Sequence, residues 1–359
     1  MLYMPVHLLQ EGMVLSSNVP SPYEKEPLLY KDTILTKAQI DDLDAVGIAG
    51  VYIKSSYTQD VVLDDCMGMI ERVQSLSFVR HVMSHPAQND DFESELDNIL
   101  EKILHKISDN STLRSNMYYL RCYDNYTYEH SLRVTINSIL VAIKLGFNDT
   151  QLWEIGVAAL LHDIGKTAID TAVLNKREQL TAAEWRSIRK HPEVGCAQVE
   201  HYYKYSKDIG DGILYHHERY DGSGYPYGLK GKNIPLYARI IGCADIYDAL
   251  TSRRAYRDAW FPCQALDWME TEGSKFVDPD IYAAFKEVII PYPEGSVVVL
   301  SNGELAVVIK MSTNKSRPIV RTINAEESVV IDLSASDLSI KGTGYNDSRL
   351  LPKVTEEGK

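Results

Sequence analysis

Apolar positions recur along this chain at two periods, and the change of period divides it. Residues 1–60 carry short apolar runs (VLSSNV, PLLY, VYIK) separated by turn residues, which predicts short strands. Between the last two runs a helix is expected, with Thr36 as its N-cap and Gly47 closing it. Residues 61–112 read as a charged helical connector with a break at HPAQNDD. Across 113–290 the period is helical: Leu132, Ile136, Ile139 and Ile143 repeat at that spacing, and the nearly all-apolar run Leu152–His162 predicts a buried helix. Thr181 and Glu184 form a capping-box signature for a helix leading to His191, which Pro192 is expected to end. Glycine and proline gather in the loop DGSGYPYGLKG. From 291 to 345 the period becomes two. A hairpin is expected to turn at Asn302-Gly303 in a type I′ turn, with further strands in RPIVRTIN and SVVIDL, before a polar tail over 346–359. The fold class expected is mainly α: an all-helical core bundle flanked by a small mixed α/β N-terminal region and a small β-rich C-terminal region.

The chain is long for one domain at 359 residues, and its 45% hydrophobic content supports a sizeable core. Its net charge of −13 argues against nucleic acid or an anionic membrane as partner, because binders of those present a basic face. A small anionic ligand stays compatible with it. The five cysteines are scattered without CxxC spacing, which reads as free thiols in a reducing compartment. No apolar run approaches the ~20 residues of a membrane span, and MLYMPVHLLQEGM lacks the charge-then-apolar layout of a signal peptide. The expected location is the cytoplasm.

The chemistry concentrates in two pairs of adjacent residues, His162-Asp163 and His216-His217, with His130, His191 and Asp245 around them. Five imidazoles and two carboxylates are too many for one tetrahedral ion and suit two divalent ions sharing a carboxylate. Asp245 lies in the apolar stretch RIIGCADIYDAL, where an unpartnered carboxylate is costly. A pairing with arginine or a helix end would also satisfy it, and each histidine taken alone reads as a packed or surface residue. Together they point to a metal site. Imidazole and carboxylate without thiolate suit Fe, Mn, Zn, Co or Ni better than Mg or Ca.

The ordered series His130, His162-Asp163-Ile-Gly-Lys166, His191-Pro-x-x-Gly195, His216-His217-Glu218, Asp221-Gly-Ser-Gly224-Tyr225-Pro226 and Ala244-Asp245-x-x-Asp248-Ala-Leu-Thr-Ser-x-Arg254-x-Tyr-Arg257 resembles an HD-GYP domain. That is the branch of the HD metal-dependent phosphohydrolases that degrades cyclic di-GMP. The resemblance implies an HD-type bundle. It implies one ion on His130, His162, Asp163 and Asp245, and a second on His191, His216 and His217 with Asp163 bridging. It implies iron or manganese as the metal and Lys166 facing the scissile phosphate. Arg254 and Arg257 would contact phosphates or guanines, and Tyr225 would shape the loop beside the pocket. Some members place a glutamate one turn before the first histidine, for a third metal. Tyr126 stands there in this chain, so two metals are expected, and Glu129 is expected to point to another side of the helix.

Hydrolysis of a phosphodiester in such a site needs a metal-bridging hydroxide as nucleophile and cationic hydrogen bonds to the non-bridging oxygens, the role open to Lys166. Asp163 and Lys166 are the expected catalytic pair. Glu218 and Asp221 read either as partners orienting the imidazoles or as solvated loop acids. The expected activity is cleavage of cyclic di-GMP to pGpG, with further cleavage to GMP left open. The competing readings are a weakly active module that binds cyclic di-GMP, and a hydrolase of another nucleotide. A homodimer, and protein partners met through the terminal regions or the GYP loop, stay open.

Overall fold

Through the middle of the chain the helical period produces helices that share one apolar centre. The structure is a computed structural model, and it describes residues 1–19, 21, 26–59, 61, 92–109, 126–174, 176, 178–202, 205–252, 259–323, 328–347 and 350. Among them the helices are α1 (Lys37–Ala45), α2 (Phe92–Asp109), α3 (Tyr126–Lys144), α4 (Asp149–Leu161), α5 (Thr171–Leu174), α6 (Ala182–Ile188), α7 (His191–Tyr202), α8 (Lys207–Tyr215), α9 (Leu236–Thr251), α10 (Pro262–Glu270) and α11 (Pro279–Val288). Thr36 and Gln39 form a reciprocal cap at the start of α1, and Thr181 and Glu184 do the same for α6.

Helix α9 is apolar on almost every side, so it is buried on almost every side, with α3, α4, α8 and α11 packed around it. Two glycines permit the close approaches this needs. A Cβ on Gly242 in α9 would lie 2.7 Å from the His216 carbonyl oxygen, and one on Gly165 would lie 2.0 Å from that of His191. Backbone therefore touches backbone where α8 meets α9, and where the 3-10 turn Ile164–Ala168 meets α7.

The terminal parts form two antiparallel sheets. Strand β1 (Leu2–Pro5) pairs with β2 (Gly50–Ile53), placing Tyr3 opposite Tyr52. The second sheet holds β3 (Val297–Leu300), β4 (Leu305–Lys310), β5 (Ile319–Thr322), β6 (Val330–Asp332) and β7 (Ile340–Thr343) in the order β6-β5-β4-β3-β7. Strand alternation sends Val297, Leu305 and Val307 to one face and Val298, Ala306 and Val308 to the other, and both faces are covered. The first face shares an apolar cluster with Leu2, Met4, Leu15 and Val51 from the N-terminal part. Tyr345 closes that cluster, stacked on Phe261 at 4.7 Å and edge-on to Tyr3 at 6.4 Å.

The fold is mainly α with small sheets at its ends. Several local expectations change: VLSSNV and PLLY form no strands but only isolated bridges, Val14 with Ile34 and Val19 with Leu29. The β3–β4 turn is not type I′: that turn needs positive φ at both central residues, and of the pair only Gly303 has it (83°). Its N–H donates to the Leu300 carbonyl at 2.9 Å, while Leu300 N–H donates to that of Glu304 at 2.8 Å, so three residues make the loop. The helix before His191 stops at Ile188, and His191 opens α7 instead. Pro192 then sits in the first turn, where a missing N–H costs no helical bond. Strand β7, with few apolar residues, carried no period to read.

Removing residues 1–61 should uncover Val297, Leu305 and Val307, each worth about 1.5–3 kcal/mol of apolar burial. A lowered melting temperature with aggregation is the expected outcome in a thermal scan. An unchanged transition would show that the C-terminal sheet does not depend on that contact.

Candidate metal centre

Helix ends and helix interiors supply the seven side chains. His162 caps the C-terminus of α4 and Asp163 follows it; His216 caps α8 and His217 follows. His191 opens α7, while His130 and Asp245 lie inside α3 and α9. All but His217 are buried, with Asp245 the most open at 8%. They form two groups, His130 with His162 and Asp245, and Asp163 with His191, His216 and His217. The structure thus brings together all seven residues that the sequence singled out as metal ligands.

The ring orientations have a common cause. A helix leaves its last carbonyls without intrahelical donors. His162 Nδ1 donates to the Ala159 carbonyl at 2.7 Å, His191 Nδ1 to Ile188 at 2.7 Å and His216 Nδ1 to Ile213 at 2.6 Å. Each is a bond to the residue three places earlier, at the end of α4, α6 or α8. A carbonyl only accepts, so Nδ1 carries a proton in each of the three rings and Nε2 is the nitrogen turned to the centre. His130 is held differently, its Nδ1 lying 2.7 Å from the Asp248 carboxylate.

The inward Nε2 atoms converge. Those of His130 and His162 are 3.2 Å apart, and those of His191 and His216 are 3.4 Å apart. The Asp163 carboxylate stands between the pairs. Its Oδ2 lies 3.6 Å from His130 Nε2 and 3.4 Å from His162 Nε2, and its Oδ1 lies 3.3 Å from His191 Nε2 and 4.0 Å from His216 Nε2. Asp245 reaches His130 Nε2 with Oδ1 at 3.4 Å and His217 Nδ1 with Oδ2 at 3.5 Å. Lys166, half-buried, donates to Asp163 Oδ2 at 2.6 Å. Its place comes from the 3-10 turn, which sets Lys166 three residues after Asp163 and facing it.

Charge follows from these contacts. Burial would raise the Asp163 carboxyl, but Lys166 and His162 hold it well below the usual carboxylate range. Asp245 is likewise held low against burial, chiefly by His130 and His217. Burial pushes His216 and His217 well below the usual imidazole value, reinforced by the neighbouring rings. For His130 burial acts the same way, yet Asp245 and Asp248 push it up to about 9.

Around the centre lie residues the sequence gave no role. Asp248 is gripped by Arg133, with Nε at 2.6 Å and Nη2 at 3.2 Å, and by Ser252 Oγ at 3.1 Å. Arg133 also meets Glu129 Oε2 at 3.3 Å, so Glu129 is turned to that arginine. The second acid of Asp245-x-x-Asp248 was the available signal, one helical turn from the first. Glu218 orients no imidazole: its carboxylate accepts from the backbone N–H groups of Tyr227, Gly228 and Leu229 at 2.8, 3.1 and 2.9 Å, and so pins the loop. Asp221 turns to Ser223 at 2.6 Å. Tyr225 stacks on His217 at 4.7 Å, with the Arg189 guanidinium 5.3 Å from its ring centre. Arg254 and Arg257 lie outside the described residues, as does the side chain of Tyr126.

This donor set fits divalent cations. The inward atoms are imidazole nitrogens and carboxylate oxygens, and buried acceptors that face one another repel unless a positive charge lies between them. Asp163 Oδ1 and His217 Nδ1 are buried without a hydrogen-bond partner, as orphaned acceptors of a cation site would be.

Comparison with known proteins bears on the same stretch. Residues 116–281 match the model of a family described as HD domain. The chain is 40% identical over 191 residues to the cyclic di-GMP phosphodiesterase PA4108 of Pseudomonas aeruginosa, covering 53% of this chain and 46% of that protein. It is 40% identical over 172 residues to the 3′3′-cGAMP-specific phosphodiesterase 3 of Vibrio cholerae, covering 47% and 36%. The chain therefore spans less than half the length of either curated relative. Among solved structures, Bd1817, an HDGYP protein from Bdellovibrio bacteriovorus, matches with a TM-score of 0.50 and 16% identity, covering 80% of this chain and 98% of that one. That likeness is one of fold.

A cation needs the Nε2 lone pair of His130, and a proton occupies that ring up to about pH 9. Metal affinity should therefore climb as pH rises from 6.5 toward 9. His216 and His217 are already neutral there and add no slope. Calorimetric titration of metal-free protein with Mn(II) at pH 7, in buffers of different ionisation enthalpy, should report net proton release on binding. Binding without proton release would contradict the charge assigned to His130.

Proposed function

We propose that the chain, whose residues 116–281 match the HD domain model and carry the motifs resembling HD-GYP, is a metal-dependent phosphodiesterase that hydrolyses cyclic di-GMP to pGpG, with GMP as the open further product. The observation that carries this reading is the Asp163 carboxylate, with one oxygen toward each of two imidazole groups. The proposed cofactors are two divalent ions, iron or manganese, one on His130, His162 and Asp245, the other on His191, His216 and His217, with Asp163 serving both. When bound, such ions supply Lewis acidity and a nucleophilic water at neutral pH.

The chain's own residues do the rest. Asp163 ties the two positions together, and the Nδ1 bonds keep the imidazoles aimed. Lys166 offers an ammonium to the non-bridging oxygens of the phosphodiester, which become more anionic as the bond breaks. Tyr225, stacked on His217 with Arg189 over its ring, is proposed to shape the loop at the edge of the site. Arg254 and Arg257 are proposed to meet phosphates or guanines. In this reading residues 113–290 are the catalytic unit, and 1–60, the connector 61–112 and 291–345 serve packing, self-association or partner contact, with 346–359 as a tail. The proposed compartment is the cytoplasm; Cys196, Cys243 and Cys263 are free thiols, and no helix among the described residues is long and apolar enough to cross a membrane.

A second reading, another cyclic dinucleotide as substrate, is favoured by the relative named as specific for 3′3′-cGAMP. Product analysis with both dinucleotides in the presence of Mn(II) or Fe(II) separates the two. Linear pGpG or GMP from cyclic di-GMP is the expected result. Lys166→Ala should lower kcat by roughly 100-fold or more while metal content is retained. Binding without cleavage of either dinucleotide would refute the enzyme reading, and cleavage of 3′3′-cGAMP alone would favour the second.

A further inference from the structure

The two groups of donors are not equivalent, and the difference originates behind His130. Three imidazoles, His162, His191 and His216, rest on neutral peptide carbonyls. His130 rests on a carboxylate, Asp248 Oδ2, at 2.7 Å. An imidazole backed by a carboxylate is a stronger donor to a metal than one backed by a carbonyl.

That carboxylate is held in place. Arg133 takes it in a two-pronged grip, and Ser252 donates to the oxygen that faces His130. Glu129, Arg133, Asp248 and Ser252 are all under 5% exposed. A lone carboxylate at that depth would be strongly disfavoured, and the guanidinium offsets the loss of water. Glu129 on the far side of Arg133 returns one negative charge, so these three charged groups together present a single net negative charge behind the ring. The same position also has Asp245, whereas the other relies on three imidazoles and one oxygen of Asp163. Lys166 on Asp163 Oδ2 opposes this with one charge on a half-exposed, flexible stem.

We propose that the position formed by His130, His162 and Asp245 is the tight one, filling first and emptying last, and that Asp248, fixed by Arg133, is the positioning residue that makes it so. The inference rests on the two-cation reading given above. A hard ion such as Mn(II), which prefers carboxylate oxygen, brings out the difference most.

The experiment is a titration of the metal-free full-length chain with Mn(II), followed by electron paramagnetic resonance of free and bound ion. The expected curve has two steps of one ion each, separated by tenfold or more in affinity. Asp248→Asn keeps the shape and the acceptor but removes the charge, and should weaken the tight step by about 10–100-fold while leaving the weak one. Since Asp248→Asn leaves Arg133 with one carboxylate fewer, His217→Gln serves as the reciprocal variant on a less buried residue; it should abolish the weak step alone. Two equal steps in the unaltered chain, or loss of the tight step in His217→Gln, would overturn the inference while sparing the two-cation reading. No bound Mn(II) at all would overturn that reading itself.

Discussion

Asp163 is 1% exposed, one of its oxygens faces two imidazoles and the other faces two more, and Lys166 donates to it at 2.6 Å. Such a group is expensive to bury, and much of the surrounding structure can be understood as what makes its burial tolerable. The imidazoles must approach from four helices, since no single helix can present them all to one carboxylate. The glycines at 165 and 242 let the backbones come close enough for this. Lys166 supplies one counter-charge in the absence of a cation, from a turn that begins beside Asp163 itself.

The helices contribute more than a scaffold. Three of the candidate ligand rings stand just beyond helix C-termini and bond to carbonyls that the helix leaves over, so a general defect of helix ends becomes a device for fixing ring orientation. This aims three Nε2 atoms inward without additional buried side chains. His130, in the interior of α3, has no free carbonyl near it, and a helix interior cannot provide one. Its Nδ1 is instead met by Asp248, and Asp248 in turn requires Arg133. The buried network of charges behind α3 is thus a consequence of placing one ligand mid-helix rather than at an end.

What could be read from the sequence follows the same division. The cluster of candidate ligands was legible because His162-Asp163 and His216-His217 are adjacent pairs of unusual chemistry, and Asp245 because a carboxylate in an apolar helix demands a partner. The network of Glu129, Arg133 and Asp248 was not, because its members are 115 or more residues apart for the key contacts and each is an ordinary helical residue locally. The start of α7 at His191 was misjudged because Pro192 carries the same local signal whether it follows a helix or opens one. Helix α9 and the hairpin of β3 and β4 were visible as changes of period. The cluster joining β1 and β2 to the C-terminal sheet was invisible, since nothing in either segment names the other.

Asp163 is proposed to join two cation positions. Anomalous diffraction at the manganese edge, from crystals of the protein loaded with Mn(II), tests it directly. The account requires two peaks, one on the His130 and His162 side of the Asp163 carboxylate and one on the His191 and His216 side. A single peak held by one oxygen of Asp163, or none within reach of it, would contradict it.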